Sequence, residues 1–398
     1  MDAEFNELAL ALFSQQFEHV PAYRRFCEAR GVTPQNAASW KEIPAIPTSA
    51  FKEFDLSSLP PVERTRVFHS SGTTAHKPSR HFHSRESLEI YEASLRPWFQ
   101  KHVLPELQLG RPAFRFLILT PPPALAPHSS LVHMFEMVRR EFAPGQSLFV
   151  GSIAVGRDAF HRVPDQSSEG APDLDHSPPR RDLVRDGVES VPTRMMGNAW
   201  RLQTDRAWAS LAEAADNDQP VVLLGTAFSF VELLDWMFTN QLRLSLPSGS
   251  RALETGGYKG RTRALPKAEL YAMITGRLGI PSTHIVCEYG MSELSSQAYD
   301  RVAGAPESQI SNFKFEMGQR LFRFPPWARV QVVSPETGRE VGEGETGLLR
   351  IYDLANVRSV LAVQTEDLSI RRGEGFELVG RAAFSEPRGC SLMSTALP

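Results

Sequence analysis

The stretch Ile285–Asp300 reads IVCEYGMSELSSQAYD. A short apolar run suited to a strand gives way to Glu288-Tyr289-Gly290 and then to Ser292-Glu293. Ligands of open α/β sheets gather at the carboxyl ends of strands, and a carboxylate placed there can hold Mg²⁺ through oxygen. The same residues also read as a plain strand followed by a solvated helix start that Ser292 and Glu293 merely cap. The rest of the chain has to decide.

Working outward, FRFLILT (114–120) and QPVVLLGTAFSF (219–230) are short apolar runs, the first closed by three prolines. Both read as buried strands, and FVELLDWMF after the second reads as a helix. Strands alternating with helices predict a mixed α/β core with parallel sheets. Phe5, Leu8, Leu10, Phe13 and Phe17 have the spacing of an amphipathic helical opening, whereas EIPAIPTSAFK (42–52) is punctuated by proline and reads as extended. Residues 163–192, rich in Pro, Ser, Asp and Arg, predict a long surface loop or partly disordered insert. From about 321 the pattern changes to short alternating strands around Pro-Glu-Thr-Gly and Gly-Glu-Gly-Glu turns. The expected organisation is a set of α/β lobes over 1–320, a small β-rich lobe over 321–381 and a flexible tail over 382–398.

The composition removes some classes. The 398 residues carry a formal net charge of -3 with no long run of one sign, which argues against a nucleic-acid or polybasic membrane binder. No stretch approaches a membrane span, and the first twenty residues lack the pattern of a secretory signal. Three cysteines without CxxC spacing fit a reducing, cytoplasmic setting better than a disulfide framework.

Three further segments carry chemistry. VFHSSGTTAHKPSRHFHS (67–84) holds a Ser/Gly/Thr turn whose backbone N–H groups and hydroxyls can wrap phosphate oxygens, with Lys77 or Arg80 adding charge. A plain polar turn is the alternative. LETGGYKGR (253–261) lets backbone approach a flat ligand and offers Tyr258 for stacking; a hairpin turn is the alternative. VLAVQTEDLSIRRGEGFELVGR (360–381) ends a strand in Asp367, able to accept ribose hydroxyls or simply to form a surface ion pair. His81 and His83 alternate as in a metal strand but lack a third ligand, and are expected to be exposed strand residues.

These four segments, in this order, resemble the adenylate-forming superfamily of acyl-AMP ligases. Ser70, Ser71, Gly72, Thr73, Thr74 and Lys77 resemble its phosphate loop. Gly256, Gly257 and Tyr258 resemble its adenine segment. Tyr289, Gly290, Met291, Ser292 and Glu293 are similar to its tyrosine-glycine-x-threonine-glutamate motif, with Ser292 replacing threonine. Asp367 and Arg381 resemble its ribose-binding aspartate and downstream arginine. Within the superfamily, FNELALALFSQQFEHVPAYRRFCEARGV, IPAIPTSAFK, EYGMSELSSQAYD and RGCSL resemble the acyl-protein synthetase (LuxE-type) family. Two features depart from the superfamily pattern: Ala75 stands where glycine is usual, and Lys77 precedes Pro78.

The resemblance implies the adenylate-forming large-domain architecture without the mobile C-terminal lid, since the chain ends seventeen residues after Arg381. It implies ATP and Mg²⁺ as cofactors, with the metal on Glu293, adenine flanked by Gly257 and Tyr289, and a fatty acid activated as acyl-AMP. It also implies transfer to a tail cysteine, Cys390, and delivery to a partner such as an acyl reductase. Nine residues separate Arg381 from Cys390, enough when extended to span about 30 Å. The alternatives are a coenzyme A ligase and a non-catalytic subunit that binds nucleotide or acyl groups. Cys27 and Cys287 are expected to be packed apolar groups.

Overall fold

The computed structural model describes residues 2–70, 77–109, 114–153, 200–256, 265–306 and 320–382. The expected 163–192 insert, Ser71 to Thr74, Gly257, Tyr258 and the tail with Cys390 lie outside these residues.

The chain opens with α1 (Asp2–His19) and α2 (Pro21–Glu28). Phe5, Ala9, Phe13 and Gln16 form the buried stripe of α1 at helical spacing. Gln16 is the polar member: its amide donates to the Asn356 carbonyl at 2.7 Å, and its Oε1 accepts from the Leu361 N–H at 2.8 Å. The proline-punctuated stretch is extended only at β1 (Ile46–Pro47); Ala50–Glu53 turns into the short α3. Pro44 and Pro47 hold the residues before them extended, but nothing restrains Ala-Phe-Lys-Glu once the prolines are passed.

Next come β2 (Arg66–His69) and β3 (Arg80–His83), an antiparallel hairpin, then α4 (Arg85–Val103), β4 (Arg115–Ile118), α5 (Ser130–Phe142) and β5 (Ser147–Phe149). A second small ribbon pairs β6 (Gly151–Ile153) with β7 (Trp200–Leu202) and leads into α6 (Thr204–Asp216). Then follow β8 (Val221–Thr226), α7 (Ala227–Thr239), β9 (Arg251–Thr255), α8 (Lys267–Leu278), β10 (Ile285–Tyr289) and β11 (Ala298–Tyr299). The six-stranded sheet runs β11-β10-β9-β8-β4-β5, parallel throughout except at β11. Every residue of β8 is buried, as a strand covered on both faces requires. That strand stops earlier than expected: Thr226 Oγ1 accepts from the Ser229 N–H at 3.3 Å and caps α7, so Ala227–Phe230 are helical.

A second sheet lies towards the carboxyl end of the described residues. It holds β12 (Ala328–Val333), β13 (Thr346–Asp353), β14 (Ala362–Arg372) and β15 (Gly375–Arg381), paired antiparallel in sequence order. The long β14 also takes β1 as a parallel neighbour, Ile46 opposite Val363. Its core is shared with the amino-terminal helices: Phe13, Tyr23 and Phe51 pack in one cluster with Ile351, Val363 and Phe376. Among the described residues no helix is long and apolar enough to cross a membrane.

Candidate active site

The parallel strands β9 and β10 lie side by side, with Thr255 opposite Glu288. Their carboxyl ends are therefore the ends of the Gly256 and Tyr289-Gly290 segments singled out above. Gly256 follows β9 with φ +70°, a left-handed turn that favours glycine. Thr255 Oγ1 donates to Glu288 Oε2. The Glu288 carboxyl is buried, and burial raises its pKa to about 7 despite that hydrogen bond, with the nearby Glu254 adding to the rise. Gly290 leaves it room: a Cβ there would lie 2.2 Å from Glu288 Oε1.

Tyr289 points the other way along the strand. Its ring is buried, edge-on to Phe376 at 5.4 Å, Phe322 at 6.1 Å and Phe324 at 6.2 Å. Its hydroxyl donates to Asp367 Oδ2 at 2.7 Å. Across the β14–β15 pair, where Asp367 and Arg381 face each other, Arg381 Nε donates to Asp367 Oδ1 at 3.1 Å. Tyr289, Asp367 and Arg381 thus meet where the two sheets approach.

The hairpin carries the third of the segments. The Ser70 N–H donates to the Ser79 carbonyl at 3.3 Å, and the Ser79 N–H donates to Ser70 Oγ at 3.0 Å, so the segment between them springs from a closed two-stranded stem. Lys77 is exposed at the carboxyl end of that segment. His81 and His83, expected to be exposed, are buried instead. The period-two alternation is real, but the polar face of β3 is the inward one. Burial holds the His81 pKa down to about 4, so the ring is neutral, and its Nδ1–H donates to the Ser292 carbonyl at 2.8 Å. Burial drives His83 down as well; its ring lies 4.3 Å from that of His81.

Ser292 and Glu293 are both buried, and Ser292 Oγ donates to Glu293 Oε2 at 3.1 Å. Two residues not singled out from the sequence hold this turn. Asn356 donates from Nδ2 to the Glu293 carbonyl at 3.0 Å. Asp353, fully buried, accepts from the Ser295 and Ser296 N–H groups at 2.9 and 2.8 Å and from Ser296 Oγ at 2.7 Å. The signal for them was an Asp and an Asn just past an apolar strand, in IYDLAN. Among the described residues no group of three or more His, Cys, Asp or Glu could hold a metal ion. A lone carboxylate at Glu293 fits Mg²⁺ of the kind carried by substrate phosphates and water rather than a protein cage. Cys27 and Cys287 are buried, as expected; burial pushes the Cys27 thiol up to about 12.

No family model matches the sequence, and no curated protein matches it. Solved structures do. The chain is similar to 2-hydroxyisobutyryl-CoA ligase in an open conformation with 2-HIB-AMP and CoA, at TM-score 0.55 and 13% identity, over 94% of this chain and 74% of that one. The fold is that of the adenylate-forming enzymes. The same ligase in its thioesterification state, again with 2-HIB-AMP and CoA, gives TM-score 0.54 and 14% identity over 96% of this chain and 69% of that one. Within this fold, His81 ties the hairpin to the segment after β10, and Tyr289 ties the end of β10 to the Asp367–Arg381 pair.

Proposed function

We propose that the protein activates a carboxylic acid with ATP as an acyl-AMP and then passes the acyl group to a thiol. The single observation that carries this reading is the meeting of Tyr289, Asp367 and Arg381 at the end of β10, in a chain with the adenylate-forming fold. In the first step a carboxylate oxygen of the acid attacks the α-phosphorus of ATP, and pyrophosphate leaves. In the second a thiolate attacks the acyl carbonyl, and AMP leaves.

Asp367 takes the ribose hydroxyls. Both its oxygens already accept hydrogen bonds, but the Arg381 side chain is largely exposed and can yield its place. Ser70 to Thr74 and Lys77 take the phosphates. The backbone at Gly256, Gly257 and Met291 approaches the adenine, with Tyr258 and Tyr289 beside it. Glu293 would hold Mg²⁺, whose charge when bound offsets the negative charge gathering on the phosphates.

We take the acid to be a fatty acid and the thiol to be Cys390 of the same chain, acting as a cytoplasmic acyl-protein synthetase of the LuxE type that serves a partner such as an acyl reductase. The motif order and RGCSL support this. The lobes at 1–320 and 321–381 supply the site, and the tail from 382 supplies the thiol. Coenzyme A is the second acceptor to test, because the solved structures similar to this chain include a ligase in complex with it.

The test incubates the protein with ATP, Mg²⁺ and acids from short to long, followed by intact mass and peptide mapping. An ATP-dependent acyl adduct on Cys390, released by neutral hydroxylamine, is expected. Cys390→Ser should keep pyrophosphate release and lose the adduct. Pyrophosphate release with acyl-coenzyme A formation and no adduct would transfer the reading to coenzyme A. No pyrophosphate release with any acid would overturn the adenylation itself.

A further inference from the structure

Cys287 is packed in β10 against a hydrophobic cluster, yet polar groups also reach it. Glu254 is its register partner on β9. Lys267, the first residue of α8, brings Nζ to 2.7 Å from the Cys287 sulfur and donates to Glu254 Oε2 at 2.9 Å. Tyr271, one turn on, donates to the same oxygen at 3.0 Å. Glu254 Oε1 is buried with no hydrogen-bond partner among the described residues. Cys287 and Glu288 are consecutive in the strand, so this cluster lies on the sheet face opposite the Glu288 carboxyl, and the proposed reaction makes no use of it.

A nitrogen and a sulfur this close are nearer than an ordinary N–H···S hydrogen bond holds them. Their separation is the one a single bridging oxygen atom imposes. We infer that Lys267 and Cys287 are a modification site: under oxidising conditions they form a reversible N–O–S cross-link, with dioxygen as the oxidant.

The step balances. The S–H bond and two N–H bonds of the ammonium break, and one S–O and one O–N bond form. Sulfur and nitrogen each give up two electrons, and dioxygen takes all four. One oxygen atom stays in the bridge. The other leaves as water with two of the three hydrogens, and the third goes as a proton to Glu254, already hydrogen-bonded to the nitrogen. The Lys267 side chain is 46% exposed and the sulfur is buried, so the step calls for an oxidant as small and uncharged as dioxygen. The cross-link would pin the start of α8 to β10.

The test needs no acid or nucleotide and is independent of the adenylation reading. The full-length protein, reduced and then freed of reductant, is held in air or under argon, denatured, alkylated and mapped by mass. In air, a Lys267–Cys287 peptide pair about 14 Da heavier than its two parts is expected, reverting with dithiothreitol. Alkylation of Cys287 should fall several-fold relative to argon. Lys267→Arg, which keeps a cation beside Glu254, should restore alkylation in air. A merely structural buried thiol, the ordinary inert case, would be alkylated equally in both atmospheres, and that result would overturn the proposal. A pair lighter by about 2 Da, from a direct S–N or S–S bond, would overturn it too.

Discussion

The imidazole of His81 donates to the carbonyl of Ser292 across 2.8 Å, joining residues 211 positions apart and fastening the hairpin to the turn that carries Glu293. Replacing it with phenylalanine leaves a buried carbonyl bare, at a cost of about 1–3 kcal/mol. His81→Phe should lower the denaturation midpoint and cut the rate of ATP–pyrophosphate exchange. His81→Asn, which can still donate, should recover part of both. Equal exchange rates in His81→Phe and the parent would remove His81 from the positioning of the site.

Glu288 makes stability fall as pH rises. Its folded pKa is raised to about 7, from a reference value of 4.5. The protonated form is therefore favoured by folding, and that contribution is complete below about pH 4.5 and lost as pH climbs through 7. The full difference is of the order of 3 kcal/mol. Glu288→Gln should match the parent's unfolding free energy near pH 4.5 and exceed it at pH 8. Urea unfolding at the two pH values checks this; a variant no more stable at pH 8 would show that the carboxyl is not held neutral.

Histidines act with the opposite sign. Burial lowers His81 and His102 to about 4, so both must gain a proton on unfolding in mild acid. Stability from them is present above about pH 6.5 and drains as pH falls towards 4. His102→Phe should flatten the acid limb of the stability profile between those values without altering the neutral plateau's pH slope.

Gly290 leaves room for its neighbour. Gly290→Ala puts a methyl group where the Glu288 carboxyl now lies, so that flexible end must swing away from Thr255 and stability should fall modestly. Shortening the neighbour in Gly290→Ala/Glu288→Ala should restore stability beyond either single variant's sum. Additive losses in that double-mutant cycle would place the conflict elsewhere.

Tyr289 orients Asp367 through its hydroxyl. A hydrogen bond to a charged group contributes about 1.5–3 kcal/mol, so Tyr289→Phe should raise the KM for ATP roughly 10- to 150-fold if all of it is expressed in nucleotide binding. Exchange kinetics at varied ATP measure it. An unchanged KM would separate Asp367 from the nucleotide.

The sequence showed the site where local order carries it. Tyr289 and Arg381 stand at strand ends, Glu293 in the motif that follows one and Asp367 in a short motif within β14, and the apolar runs at 114–120 and 219–230 do contain strands. What it hid was held by distance along the chain or by reversal of an expected face. Histidine alternation in β3 was visible, but nothing local says that the polar face turns inward, because its partner Ser292 lies on another element. Asp353 and Asn356 serve backbone groups near residues 293–296, and a lone Asp or Asn after a strand has many other uses. The helix at Ala50 and the early stop of β8 at Thr226 turn on capping and proline placement, which fix boundaries less firmly than cores.

Gln16 has a consequence for how the chain comes into being. Its amide closes on Asn356 and Leu361, the latter 345 residues later, and β1 finds its strand partner only at Val363. α1 and α2 are made before the sheet that seats them. Until residue 363 has left the ribosome, Phe5, Phe13 and Tyr23 have no sheet to cover them, while the parallel sheet from β4 to β10 can already assemble. Synthesis therefore runs against the order of assembly, and the apolar faces of α1 and α2 stay adhesive until the sheet they pack on is made.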